Sequence, residues 1–373
     1  LGFMSGIETD KMVRKFFSTA RKRSELLLYK EFQQTPTPVA LPRELLFLDS
    51  GERDGIVLRT KQIDINGEDY PYNASITNGN DGSYWLFFRY DQLPLDKRDP
   101  HARIGMARLN TQFEHIDPSF THIDTGTVHA EDPRVFRSGE TYYLVYNDLL
   151  SVAPYARSMF IGELNTANQC LTYTTSIDQH ISPTEKNWVP FAFRQGEEES
   201  PFFAYQINPH KIMSLRDPMR NQMEHLTFSG TPSFSKLQWS KKWGTPRGGT
   251  PAQLIDGEYL AFFHSSFKDK KHKKVWYVMG AYTFEAKPPF RITSISRQPI
   301  LFRGIYDTPH EHNGNPGVFV IFPSGFVTAE EDGRSVFHVS CGENDCATKI
   351  VTLDKEALFS SMRPITYSNE TEF

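Results

Sequence analysis

The chain has 373 residues, enough for one large domain or two medium ones with a sizeable core. Its 38% hydrophobic and 23% charged content excludes a disordered protein. No apolar run approaches the roughly 18 residues that cross a bilayer, which excludes a membrane span. Lys and Arg number 41 against 45 Asp and Glu, so the net charge of −4 offers no general attraction to nucleic acid or anionic lipid. The expected partner is a small or neutral molecule, with no nucleic acid and no membrane.

In chain order, residues 10–30 (DKMVRKFFSTARKRSELLLYK) read as an amphipathic helix with Asp10 as its N-cap. Its basic face reads as a solvated surface on an N-terminal helical extension over 1–45, which is also a candidate homo-oligomer contact. Beyond it the pattern changes. Aromatic strand-like runs recur at 84–90 (YWLFFRY), 142–146 (YYLVY), 202–205 (FFAY), 259–264 (YLAFFH) and 336–340 (VFHVS). Their starts lie 58, 60, 57 and 77 residues apart, and Gly82, Gly139 and Gly257 introduce three of them. Each run follows another strand-like segment, beginning at Asn73, Asp132, Asn187, Thr250 and Asn315. Each precedes a third, at 104–110, 159–165, 211–215, 276–282 and 348–354. A repeat of this length with room for a fourth strand predicts an all-β fold, a five-bladed β-propeller over 46–373. Paired β-sandwiches explain the strands but not the spacing. The lysine-rich stretch 268–274 (KDKKHKK) reads as a solvated hairpin loop.

Cys170, Cys341 and Cys346 lack paired metal-site spacing and are expected to be buried free thiols. With no signal peptide visible after Leu1, they point to a cytoplasmic setting. His310 and His312 flank Glu311 without an HExxH pattern, so no metal is expected. Phosphate-binding glycine loops, dinucleotide fingerprints and the serine-hydrolase elbow do not occur.

In a propeller the start of each blade's first strand and the end of its second lie at one mouth of the central channel. This rule gathers Asn73, Glu131, Asp132, Arg134, Lys186, Asn187, residues 247–250 and Asn313 from strand starts. Strand ends add Arg89, Asp91, Asn147, Asp148, Asn208, His210, His264, Glu343 and Asp345. Each residue taken singly has an ordinary structural explanation: Asp-Pro and Asn-Pro start turns, and Asp132 with Arg134 can be a simple ion pair. Their convergence from separate blades instead suits a polyhydroxylated ligand.

The ordered motifs Asn73-Ala-Ser, Phe-Phe-Arg89, Glu131-Asp132-Pro-Arg134, Glu185-Lys186-Asn187-Trp, Asn208-Pro-His210, Gly248-Gly-Thr-Pro251, Phe-His264 and Gly342-Glu-Asn-Asp345 resemble glycoside hydrolase family 130. The resemblance covers about residues 70–354 and rests on order and spacing rather than on any one motif. It implies a five-bladed propeller enzyme that cleaves or transfers β-mannosides with inversion, as a phosphorylase, hydrolase or transferase acting on a small oligosaccharide. Asp132 corresponds to the general acid, and Asn73, Arg89, Lys186 and Asp345 to residues that hold the sugar, with Arg134 and Asn187 beside them. No cofactor is implied, but inorganic phosphate is a candidate co-substrate. The chain departs from the family phosphorylases where a His-Arg pair gives way to Tyr205-Gln206, and where a cation is replaced by Met159. Arg157, His210, Arg247 and His264 are candidates to rebuild an anion site. Hydrolysis by inversion needs a second carboxylate, for which Glu311, Glu343 and the run 197–199 are candidates. A propeller that only binds a glycan or protein remains the alternative.

Overall fold

A computed structural model describes residues 41–45, 47–91, 101–177, 183–217, 222–226, 238–309 and 316–365. The chain divides into two units, Leu1–Leu46 and Phe47–Phe373. In the first, the described residues include one 3₁₀ turn, Arg43–Leu45, and the expected helix over 10–30 lies outside them. The second unit contains five sheets, antiparallel but for one short parallel pair, arranged as propeller blades.

Blade one is built from Tyr72–Asn78, Tyr84–Asp91, Ala102–Leu109 and Thr121–Ile123. Blade two follows with Glu131–Ser138, Thr141–Val152, Tyr155–Asn165 and Cys170–Ser176. Blade three comprises Val189–Gln195, Glu198–Gln206, Lys211–Asp217 and Gln222–Leu226. In blade four the short pieces Arg247–Gly248 and Gln253–Ile255 both pair with Glu258–Asp269, which continues into Lys274–Glu285, Ile292–Ser296 and Met362–Pro364. Blade five contains Ile321–Glu331, Arg334–Glu343 and Ala347–Asp354. Its fourth strand is Val57–Ile63, drawn from before blade one, so the two ends of the propeller zip together in one sheet.

The five aromatic runs all lie in second strands, as their composition predicts. Their residues are buried on both faces because each blade packs between two others: Phe87 and Phe88, and likewise Phe262 and Phe263, are adjacent yet fully buried. Each such ring contributes about 2 kcal/mol of burial. Separate apolar clusters fill successive interfaces. Ile76 and Phe88 meet Val327 and Ile350, Phe87 and Met106 meet Val135 and Leu144, and Phe136 and Met159 meet Trp188 and Phe203. Aromatic contacts of Phe191 with Tyr259 and of Phe262 with Phe326 complete the circle. Polar bonds close the same ring: Val135 N donates to Ser75 Oγ (3.1 Å), Arg134 to Asn187 Oδ1 (3.3 Å) and Ala252 N to Pro190 O (2.9 Å). Gln253 Nε2 to Phe326 O (2.5 Å) and Ser340 Oγ to Ala74 O (2.6 Å) finish it.

Two expectations change. Blade five does not begin with the segment after Asn315. Val318–Phe319 instead pairs in parallel with blade four's third strand, and the channel strand starts at Ile321. The inserted segment explains the 77-residue spacing. Cys341 and Cys346 are buried, but Cys170 is exposed, because an outermost strand has one solvated face and its alternation turns Cys170 outward. The hairpin expected over 268–274 forms, with Asp269 paired to Lys274 across its turn. Among the described residues no helix is long and apolar enough to cross a membrane.

Candidate active site

The first strands of blades one, two and three each reach the mouth through a residue in the left-handed region: Asn73 (φ 49°), Asp132 (φ 54°) and, just before its strand, Asn187 (φ 64°). Asn and Asp enter this region more readily than other non-glycine residues. In blades one and two the strand register slips at this point, between Tyr72 and Ser75 and between Glu131 and Arg134. A bulge of this kind turns a side chain out of the ladder. It lifts Asn73 and Asp132 toward the channel at a cost of about 1–3 kcal/mol each. Asp345 (φ 49°) arrives in the same conformation from the end of blade five's second strand.

These residues form an acidic half of the mouth. Asn73 Nδ2 donates to Asp132 Oδ1 at 2.8 Å, and Arg89 Nη1 stands 3.9 Å from the same oxygen. Asp132 Oδ2 has no partner among the described residues, although the side chain is only 11% exposed. Arg89 is further held by Asp91 (3.3 Å) and by Glu131 (3.3 Å), and its guanidinium lies 4.9 Å from the centre of the Tyr72 ring. Burial works against its charge, but Glu131, Tyr72, Asp91 and Asp132 more than offset that and hold its pKa above the ordinary value. Tyr72 donates its hydroxyl to Asp91 Oδ2 at 2.7 Å. Asp345 is pushed up to about 6, first by burial and then by Asp132, Asp91 and Glu131, with Arg89 opposing. Gly342 is what lets Asn73 in: a Cβ there would stand 2.0 Å from Asn73 Oδ1.

The other half is cationic. Arg134 is fully buried, donating to Gly249 O (2.5 Å), Asp132 O (3.1 Å) and Asn187 Oδ1 (3.3 Å). Burial lowers its pKa to about 10, which leaves it charged at neutral pH. Its bond to the Asp132 carbonyl joins the two halves. Arg247 pairs in register with His264, whose ring packs on Phe322 at 4.5 Å. His264 is held neutral, first by burial and then by the positive charges of Arg247, Arg134 and Lys186. Lys186 and Arg247 are exposed, and neither has a carboxylate partner among the described residues.

The four candidate anion ligands do not stay together. Arg247 and His264 share the cationic half. Arg157 belongs to the acidic half, bound to Glu131 (3.3 Å), Asn147 Oδ1 (2.7 Å) and His129 O (2.6 Å). His210 is buried between blades three and four, sharing a bond with Phe290 O (2.8 Å) and packing on Tyr282 and Phe284. Burial lowers its pKa to about 4, so it has no charge to offer an anion at neutral pH. Met159, where a cation was expected from the resemblance, is core. Glu343 is wholly buried, paired with Lys349 at 2.5 Å and accepting from Thr308, and its Oε1 has no partner among the described residues. In the run 197–199, Glu199 accepts from Gly139 N (2.5 Å) and pairs with Arg194, which engages it at the opposite end of the channel. Glu311, like His310, His312 and Asn313, lies outside the described residues.

Sequence reasoning placed Glu131 at the mouth but gave it no part in the site, and it missed Tyr72 and the requirement for Gly342. Adjacency to Asp132 and Asn73 was the only local signal for the first two. A cavity of about 590 Å³ opens at the far end of the channel, where Asn78, Arg137, Arg194 and Leu254 end the first strands. Its lining reaches Ile76 and Val135 but includes neither Asn73 nor Asp132.

No family model matches the sequence, and no curated protein matches it. Solved structures do. β-1,2-Mannobiose phosphorylase from Listeria innocua, in complex with β-1,2-mannobiose, is 14% identical, covering 83% of this chain and 97% of that one with a TM-score of 0.52. A mannose phosphorylase from Leishmania mexicana in complex with phosphate ion is 16% identical, covering 87% and 96% with a TM-score of 0.53. A GDP-Man-dependent mannosyltransferase from Leishmania mexicana is 13% identical, covering 82% and 92% with a TM-score of 0.51. The fold is a β-propeller similar to those of these solved structures. This likeness spans the blades, and at such identity it concerns the backbone. The roles of the mouth residues rest on their own chemistry.

Proposed function

We propose that this protein is an inverting carbohydrate-active enzyme that cleaves or transfers β-mannosides, with Asp132 as general acid. The observation that carries the reading is the division of labour within one carboxyl group. Asn73 and Arg89 face Asp132 Oδ1, while Oδ2 is left without a partner among the described residues. An acid held by one oxygen presents the other, with its proton, to a leaving group at fixed geometry. Asn73, Arg89, Arg134, Asn187 and Asp345 supply donors and acceptors for sugar hydroxyls around it. Such contacts strengthen as the ring flattens toward an oxocarbenium-like transition state.

The nucleophile we favour is phosphate. The proton from Asp132 passes to the glycosidic oxygen as the C1–O bond breaks, and a phosphate oxygen bonds to C1 from the opposite face, giving α-mannose 1-phosphate. Support comes from Lys186 and Arg247, exposed beside buried Arg134 with no carboxylate among their described partners. That is an electrostatic setting for an anion. It also comes from Glu343, a candidate water-activating base that is taken up by its ion pair with Lys349. The mannobiose- and phosphate-bound neighbours agree in chemistry with both parts of the reading.

Incubation of β-manno-oligosaccharides with and without inorganic phosphate tests it. Mannose 1-phosphate formed only with phosphate is the expected product. Free mannose at equal rate without phosphate points to hydrolysis, and dependence on GDP-mannose points to transfer. Absence of turnover, with sugar binding retained in Asp132→Asn, would leave a binding module.

A further inference from the structure

We infer that a lysine-covered hairpin of blade four extends the mouth into a second binding zone, which receives phosphate groups carried on the distal part of a saccharide ligand. The inference rests on the reading of the mouth as a saccharide site. Glu258–Asp269 and Lys274–Glu285 are paired along their whole length, and His264, opposite Arg247 at the mouth, is five residues short of the Asp269–Lys274 turn. At about 3.4 Å per residue the hairpin therefore rises some 17 Å beyond the level of His264, roughly.

Along this rise stand Lys268, Lys270, Lys271, Lys273 and Lys274. The short helix Gln238–Trp243 packs against the same strand, with Trp239 Nε1 donating to Ser265 Oγ (3.0 Å) and Trp243 against Phe267 (5.5 Å). It adds the exposed Lys241 and Lys242 to the same edge. None of these seven lysines is in an ion pair among the described residues; two lie over rings, Lys242 on Trp243 and Lys274 on Phe319. Asp269, the acidic residue of the stretch, is turned inward on its own loop, accepting from Lys271 N and His272.

In a chain of net charge −4, seven lysines on one projecting edge, without an acidic partner among the described residues, repel one another, and an anionic ligand relieves that repulsion. Lysine suits phosphate as a flexible point charge rather than as a planar clamp. Lys186 and Arg247 make the cationic surface run from the edge into the mouth, which favours an anionic extension of the bound sugar over a separate macromolecule. The height of the zone also sets it apart from a sugar nucleotide, whose diphosphate is bonded directly to C1.

The test measures binding of the full chain to β-mannobiose and to cellobiose, each with and without a 6-phosphate on the distal sugar, at low and high salt. The phosphate is expected to tighten binding of either disaccharide by about tenfold at low salt. Lys270→Glu/Lys271→Glu/Lys273→Glu is expected to abolish that gain while leaving the affinity for neutral β-mannobiose unchanged. Equal affinity for neutral and phosphorylated sugars overturns the inference. So does lysine-dependent binding of GDP-mannose, an oligonucleotide or phosphatidylserine vesicles without a phosphosugar effect. Preference for mannose over glucose is read separately from the neutral pair, so failure of the mannoside reading and failure of the hairpin zone give different results.

Discussion

The two halves of the mouth solve opposite electrostatic problems with the same blade architecture. On one side Arg89 and Arg157 are each tied to Glu131, and Arg89 also to Asp91, so positive charge is consumed in holding Asp132 in place. On the other, Arg134 is bonded to carbonyl and amide oxygens, and Lys186 and Arg247 are exposed without a carboxylate partner among the described residues. In the proposed reading, one half positions a proton donor and the other attracts an anion.

Asp132→Asn should strike this division hardest, lowering kcat by about 10³-fold while sugar binding and melting temperature stay near wild type. Turnover assays paired with calorimetric titration of mannobiose read both. Arg134→Met, which cuts the bond between the halves, should cost about 3 kcal/mol in urea unfolding, because the oxygens of Asp132, Asn187, Gly248 and Gly249 lose their buried donor. A loss below 1 kcal/mol would show the halves to be independent.

Asp345 offers a pH test of the acidic half. Its folded pKa, about 6, lies above the ordinary 3.8, so the folded state binds this proton more tightly than the unfolded one. Wild-type stability should therefore fall relative to Asp345→Asn as pH rises from about 4 to about 6, by up to about 3 kcal/mol, seen in denaturant midpoints. The opposite slope would place Asp345 in a net positive environment. Gly342→Ala should displace the Asn73 side chain and lower kcat by about 10²-fold without touching the anion half, so the Michaelis constant for phosphate is unchanged. Smallest of all, Lys186→Ala and Arg247→Ala should each raise that constant by about tenfold with little change in sugar affinity. An equal effect on neutral sugar would merge the halves into one site.

Much of this was legible in the residues. The runs 84–90, 142–146, 202–205, 259–264 and 336–340 all lie in second strands, since dense aromatics between glycine turns have few other ways to be buried. Asn73, Asp132 and Asn187 announced themselves by recurring at equivalent places in successive repeats. Blade five was harder: its fourth strand, Val57–Ile63, precedes the first repeat, and an insertion moved Val318 and Phe319 into the neighbouring sheet. Cys170 was misjudged because a cysteine's usual burial says nothing about which face of an outer strand it occupies.

The sequence alone settled the strand content, the repeat and the mouth-forming strand ends, because these depend on short-range propensity and on spacing along the chain. Only the closed ring decided that Arg157 joins Glu131 while Arg247 joins His264, that His210 is enclosed as a neutral ring, and that Glu343 meets Lys349. Those outcomes depend on charges and burial contributed by neighbouring strands and blades, and such fields exist only once distant segments have been brought within a few ångströms of one another.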